Sequence, residues 1–241
     1  MQIRRLSMAD GAYAAQGPAV VIDVFRAFTC EPMMLHCGAR RIVLQNDPAS
    51  CRSWRAEVEP DAVLVGEVDE LPIEGFDLSN SPWMILQRGR PLFEGRTVVH
   101  RTTSGVSGAI LALPRCDEVL LAAFVNARAT ADYILARQPR LVSIVAMGIR
   151  SKAPAPEDEA CGDLIESLLG GRPYDHATAL ATILANETAQ KFLRADKPHL
   201  PPEDVALCLQ RDLFDFALRA EAQGGLIEAT EISSLRSELT T

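Results

Sequence analysis

The feature that most constrains this chain is an alternation of short β-branched apolar runs with longer stretches of helical spacing. The runs are AVVIDVF (19–25), RIVLQN (41–46), AVLVGEV (62–68), TVVHRT (97–102), EVLLAAF (118–124) and LVSIVAMG (141–148). Near-continuous apolar runs are what strands covered on both faces require. Between them, FTCEPMMLHCGA (28–39), PASCRSWRAEV (48–58), ARATADYILARQ (127–138) and EDEACGDLIESLL (157–169) read as helices. Asp47-Pro48 is a good helix start, and Asn126 is placed to cap the third of them. From Tyr174 the texture turns helical, with ATALATILANETAQKFL and PEDVALCLQRDLFDFALRA, before a short last strand, GLIEATEI (225–232). The expectation is an α/β fold: a mainly parallel sheet with helices on both faces and a helical C-terminal third. A chain of 241 residues suits one such domain over 1–241, with two lobes at about 1–150 and 151–241 as the alternative division.

Composition narrows the partners. The net charge is -8 and the basic residues are scattered, which argues against nucleic acid, since phosphate backbones are held by clustered Lys and Arg. No stretch approaches the roughly 18 apolar residues of a membrane span. MQIRRLSMADGAYAAQ has two arginines with no apolar run after them, so no signal peptide is read. The six cysteines form no CxxC pair and no Cys/His zinc spacing, so they are expected to be reduced and mostly buried, in a cytoplasmic protein.

In parallel α/β sheets, ligands lie beyond the C-terminal strand ends, and here the polar residues collect at those ends. Asp23, Arg26 and Thr29 follow the first run; Gly66, Glu67 and Asp69 end the third; HRTTSGVSGA (100–109) follows the next; Glu157, Asp158 and Glu159 come after LVSIVAMG. Glycines and hydroxyls opening a helix present N–H and O–H donors to an anion. An arginine fork suits phosphate or sulfonate oxygens, and carboxylates from several strands suit Mg²⁺. Each feature alone has a plainer reading. Asp23 can cap the next helix, Arg26 can pair with a carboxylate, TTSG can simply start a helix, and Glu157 with Asp158 can complement a helix N-terminus. The grouping is what favours metal-assisted handling of a phosphorylated small molecule. Familiar phosphate signatures are missing: there is no GxxxxGK[ST], no GxGxxG, no DxD after Asp23, no CxxxxxR and no RHG. His36, His176 and His199 have no partner pattern and are read as non-functional.

The motifs that remain resemble those of the 2-phosphosulfolactate phosphatases. VIDVFRAFT (21–29) looks like the family's IDVxRATT segment, and Gly66-Glu67 with Gly75-Phe76-Asp77 and Asn80-Ser81-Pro82 looks like its GE…GFDxxNSP block. Thr102 to Ala109 aligns with its TTNGTxA loop, Glu157-Asp158 with Cys161-Gly162 looks like its EDxxCxG segment, and PEDVALCLQRDLFDFA resembles its C-terminal helix. The resemblance implies Mg²⁺-dependent hydrolysis of (2R)-2-phospho-3-sulfolactate to 3-sulfolactate and phosphate, a reaction associated with coenzyme M biosynthesis. It makes Asp23, Arg26 and Glu67 candidate catalytic residues, and Asp23, Glu67, Asp77, Glu157 and Asp158 candidate metal ligands. Asn80, Ser81, Arg101, Thr102, Thr103, Ser104 and Gly105 become candidate binders of a small anionic phosphorylated substrate. An apolar helix face in the last third would support a homodimer. The chain departs from the family at TTSGV, where Ser104 replaces Asn and Val106 replaces Thr, and at His100-Arg101 before it; Arg101 is expected to replace the lost donors or to serve a different anion.

Overall fold

A computed structural model of the chain describes residues 1–233. Its sheet has ten strands: β1 (Gln2–Ser7), β2 (Pro18–Ile22), β3 (Arg41–Leu44), β4 (Val63–Val68), β5 (Leu71–Pro72), β6 (Thr97–Arg101), β7 (Glu118–Ala122), β8 (Leu141–Ala146), β9 (Phe216–Gln223) and β10 (Leu226–Ser233). The helices are α1 (Met8–Ala14), α2 (Ala27–His36), α3 (Pro48–Glu57), α4 (Pro82–Phe93), α5 (Gly105–Ala112), α6 (Ala127–Arg137), α7 (Pro156–Leu169), α8 (His176–Ala185), α9 (Glu187–Leu193) and α10 (Glu203–Cys208). The expected α/β architecture holds, and each expected strand and inter-strand helix is present within a few residues. β2 is buried along its whole length, as its unbroken apolar run requires. Asp47 caps α3 by accepting from Ser50 N at 2.9 Å, with Pro48 in the first turn. Asn126 occupies the cap position of α6, but its side chain turns back to Ala123 N and Leu121 O.

The strand order is β1-β8-β2-β7-β9-β10-β3-β6-β4-β5. β1, β8, β2 and β7 form one parallel block, and β3, β6 and β4 another. The antiparallel hairpin β9–β10 joins them, closed by Gly224-Gly225 with φ of 58° and 84°. Two positive φ values are what a two-residue hairpin turn matched to strand twist needs. Three antiparallel steps make the two blocks run in opposite senses, yet residues following β2, β4, β6 and β8 line one cleft.

The last third corrects one expectation. Residues 202–220 were expected to be one helix, but only Glu203–Cys208 is helical, and Phe216–Gln223 is β9. Ala, Leu, Arg and Glu favour helix locally, but pairing with β7 on one side and β10 on the other overrides so weak a preference. The stretch 177–193 is two helices, divided where Asn186 caps α9 by accepting from Thr188 N. β1, α1 and α4 carry no pattern that announced them. The main core cluster includes Phe28, Met33, Phe93, Phe124 and Phe192, and a second, small one of Cys51, Ala62, Leu64 and Val99 lies under Trp54 and Phe76. All six cysteines are free, five of them buried, as expected of reduced thiols. Among the described residues, no helix is long and apolar enough to cross a membrane.

Candidate active site

The converging strand ends line a narrow cleft. Asp23, Phe25 and Arg26 reach it from β2, Glu67 and Glu70 from β4, Thr103 and Ser104 from β6, and Gly148, Ile149 and Arg150 from β8. Ala155, Glu157 and Asp158 come from the start of α7, Lys191 and Phe192 from α9, and Asn80 from the loop before α4.

One wall is acidic. Asp23 Oδ1 accepts from Ala27 N at 3.1 Å and Oδ2 from Gly105 N at 2.7 Å, so one carboxylate ties the first turns of α2 and α5 together. Gly105 makes this possible, because a Cβ there would lie 2.8 Å from Asp23 Oδ2 and 2.9 Å from Ala27 Cβ. Asp158 accepts from Val24 N and Gly148 N, both at 2.8 Å. Gly148 has φ of +69°, and a Cβ on it would strike Ala153 O at 2.2 Å. Glu157 accepts from Thr188 Oγ1 at 2.8 Å, and Glu67 from Thr103 N and Glu70 N, each at 2.5 Å.

Backbone donors hold these groups, but no cation among the described residues forms an ion pair with Asp23, Asp158, Glu157 or Glu67. Burial therefore pushes Asp23 up to about 6, with the Glu67 charge adding to it and the N–H bonds from Ala27 and Gly105 opposing. Burial likewise raises Glu157 to about 7, where Asp23 adds and the Thr188 bond and Lys191 oppose. Asp158 is driven well above the usual carboxylate range, first by burial and then by Asp23 and Glu157. Several acids in one dry site resist ionising together.

The facing wall is cationic and already paired. Arg26 is buried; its Nη1 donates to Asp204 Oδ2 at 2.7 Å and to His199 O at 3.0 Å, and its guanidinium lies 5.2 Å from the Phe192 ring centroid. Asp204 Oδ1 accepts from Ser81 Oγ at 2.8 Å and Trp83 N at 2.9 Å. At the mouth, Lys191 pairs with Glu70, and Arg150 Nε lies 3.7 Å from Asp69 Oδ1.

Of the residues singled out in the sequence, the fold gathers Asp23, Arg26, Glu67, Asn80, Thr103, Ser104, Glu157 and Asp158 at the cleft. Gly105 contributes its N–H, but to Asp23. Others lie elsewhere. Asp77 accepts from Leu64 N and Arg55 Nη1, both at 2.8 Å, against α3. Arg101 donates to Asn46 O at 3.0 Å, to Thr103 Oγ1 at 3.1 Å and to Glu67 O, bracing the loop from outside. Ser81 caps α4 at Met84 N, and Thr102 accepts from Val106 N at 3.1 Å. For Thr102 the plain reading as a helix start is realised, Arg26 does pair with a carboxylate, and Asp23 is both cap and cleft carboxylate. Participants that escaped the sequence reading include Glu70, Arg150, Lys191 and Asp204. Arg150 follows a strand end and was open to the same rule that found Asp23. Lys191 and Asp204 come from helices with no local signal. His100 and Arg101, adjacent in sequence, point to opposite faces of β6, as strand neighbours must.

The donor set suits a hard cation. Asp23, Glu67, Glu157 and Asp158 offer carboxylate oxygens, and a divalent charge would offset the burial and mutual repulsion that raise three of them. Among the described residues, no group of three His, Cys, Asp or Glu side chains is already closed around one point.

Comparison with known proteins identifies a family. A family model for 2-phosphosulpholactate phosphatase matches residues 7–223. A probable 2-phosphosulfolactate phosphatase of Bacillus subtilis is 28% identical over 225 residues, covering 91% of this chain and 95% of that protein. Proteins of the same description from Deinococcus radiodurans and a Synechococcus species are each 37% identical, over 63% and 67% of this chain and 61% and 65% of their own lengths. With cleft, carboxylates and motif order in agreement, the chain belongs to the 2-phosphosulfolactate phosphatase family of phosphoric monoester hydrolases.

Proposed function

We propose that the protein hydrolyses (2R)-2-phospho-3-sulfolactate to 3-sulfolactate and phosphate in this cleft, with Mg²⁺ as cofactor. The observation that carries the reading is the charge balance of the lining. Asp23, Glu67, Glu70, Glu157 and Asp158 face Arg26, Arg150 and Lys191. Carboxylates exceed cations, so a multiply anionic substrate is repelled until the excess is protonated or offset. Mg²⁺ held by Glu67, Glu157 and Asp158 would supply positive charge for the phosphoryl oxygens. Asp23, at the centre of the acidic wall, accepts the proton of the attacking water. Arg26, kept rigid by Asp204 and Phe192, faces the oxygens that gather charge as the P–O bond breaks. Arg150 and Lys191 exchange Asp69 and Glu70 for the acid groups at the far end of the substrate.

A second reading, the same chemistry on another small phosphorylated acid, is favoured by Ser104. It lines the cleft where family members carry Asn. Val106 is fully buried in the core, so the other loop departure does not touch the ligand, and Arg101 lies outside the cleft and does not replace the lost amide. A site that loses a donor shifts its discrimination among ligands. The test is phosphate release from 2-phosphosulfolactate and a panel of phosphorylated acids with and without a sulfonate, in Mg²⁺ and in EDTA. Metal-dependent turnover led by 2-phosphosulfolactate is expected. A different leading substrate selects the second reading, and turnover unchanged in EDTA removes Mg²⁺.

A further inference from the structure

Behind the cleft, three polar side chains lie in line inside the core. His100 on β6 and Glu31 on α2 are fully buried, and Asn80 nearly so. His100 Nδ1 lies 2.9 Å from Glu31 Oε1, and Nε2 lies 3.0 Å from Asn80 Oδ1. Three polar groups in an apolar interior are a costly way to fill space. The neighbours of His100 on β6, Val98 and Val99, show what packing alone would select. The chain has a direction. Glu31 Oε2 ends it with no hydrogen-bond partner among the described residues, and at the other end Asn80 lines the cleft, which neither Glu31 nor His100 does. With the amide oxygen turned toward it, Nε2 is the donor of that bond, and Nδ1 shares a proton with Glu31 Oε1. A planar amide whose oxygen is fixed in this way has its Nδ2 left for the opposite side.

We propose that Glu31 and His100 are positioning residues that hold the Asn80 amide as a neutral N–H donor to a substrate phosphoryl or acid oxygen. The proposal rests on the anion-binding role given to the cleft above. An amide suits the task because it donates without adding a further charge to a crowded acidic site, and the imidazole prevents the flip that would present its oxygen to an anion.

The test is calorimetric binding of inorganic phosphate, in Mg²⁺, to the wild type and to variants whose folding is checked by thermal melting. Asn80→Ala and His100→Phe should each weaken binding by about tenfold or more, the scale of a lost bond to a charged acceptor. The double variant should be no weaker than the weaker single, because the imidazole acts through the amide. Glu31→Gln should stay within about twofold of wild type, since the Gln amide can still donate to Nδ1. Additive losses, unchanged binding in Asn80→Ala, or Glu31→Gln as weak as His100→Phe would each overturn the proposal. If His100→Phe does not fold, the wild-type imidazole nitrogen spectrum decides. An Nε2–H signal that moves on adding phosphate supports the chain, and an Nε2 without hydrogen overturns it. Phosphate binding that follows the expected pattern without turnover of any phosphorylated acid would sink the proposed function and leave the chain standing. Turnover without measurable phosphate binding would do the reverse.

Discussion

The two walls of the cleft handle buried charge by opposite rules. On the Arg26 side the protein supplies the counter-charge itself: Arg26 meets Asp204 at 2.7 Å, and Asp204 takes two further donors. On the Asp23 side it supplies only dipoles, the N–H groups of Ala27, Gly105, Val24 and Gly148. Dipoles orient a carboxylate without cancelling its charge, so Asp23, Glu157 and Asp158 all hold their protons more tightly than free acids do. The compensated pair is a rigid scaffold that holds Arg26 facing the cleft. The uncompensated group is where a ligand or cation has something to gain.

Three experiments press on this contrast. The largest effect is expected from Asp204→Ala, which strands Arg26 and removes the acceptor of Ser81 and Trp83. Breaking a buried pair by removing one partner costs about 3–5 kcal/mol, measured by denaturant unfolding. A loss under about 1 kcal/mol would mean the pair is not the scaffold described.

Next is the pH dependence of stability in metal-free protein. Asp23 moves from an ordinary 3.8 to about 6 in the folded state. Between those values the folded chain binds more protons than the unfolded one, so stability falls as pH rises. The stability of wild type relative to Asp23→Asn should therefore fall by about 3 kcal/mol in all, about 2 kcal/mol of it between pH 4 and pH 6, and level off above about pH 7. A difference that rises with pH would show that Asp23 is compensated after all.

The smallest of the three in free energy is catalytic. Asp23→Asn loses the proton acceptor and leaves one of the Ala27 and Gly105 N–H groups without its oxygen, so kcat should fall by at least about a hundredfold. Near-normal turnover in a folded variant would remove Asp23 from the chemistry.

How much of this was legible depends on how local each signal is. β2, β4, β6 and β8 were readable because a strand covered on both faces must be apolar throughout, and that pattern needs no partner to be seen. Asp23, Glu67, Glu157 and Asp158 were readable because they stand where such runs stop. Asp77 stands in an equally persuasive motif, GFDLSNSP, yet it bonds Leu64 N and Arg55. Nothing local distinguishes a carboxylate that will meet an arginine from one that will not. β9 was misread because its residues favour helix and only its two neighbours make it a strand.

The sequence by itself determined the alternation of elements, the side of the sheet where chemistry would gather, and the family. The tertiary structure decided which acids would be left without a counter-charge, that Arg26 would find Asp204, and that His100 would turn inward to Asn80 while Arg101 turned out. Strand and helix patterns are written by neighbours a few residues apart, whereas charge compensation is written by partners such as Arg26 and Asp204, 178 residues apart, and no local spacing encodes that meeting.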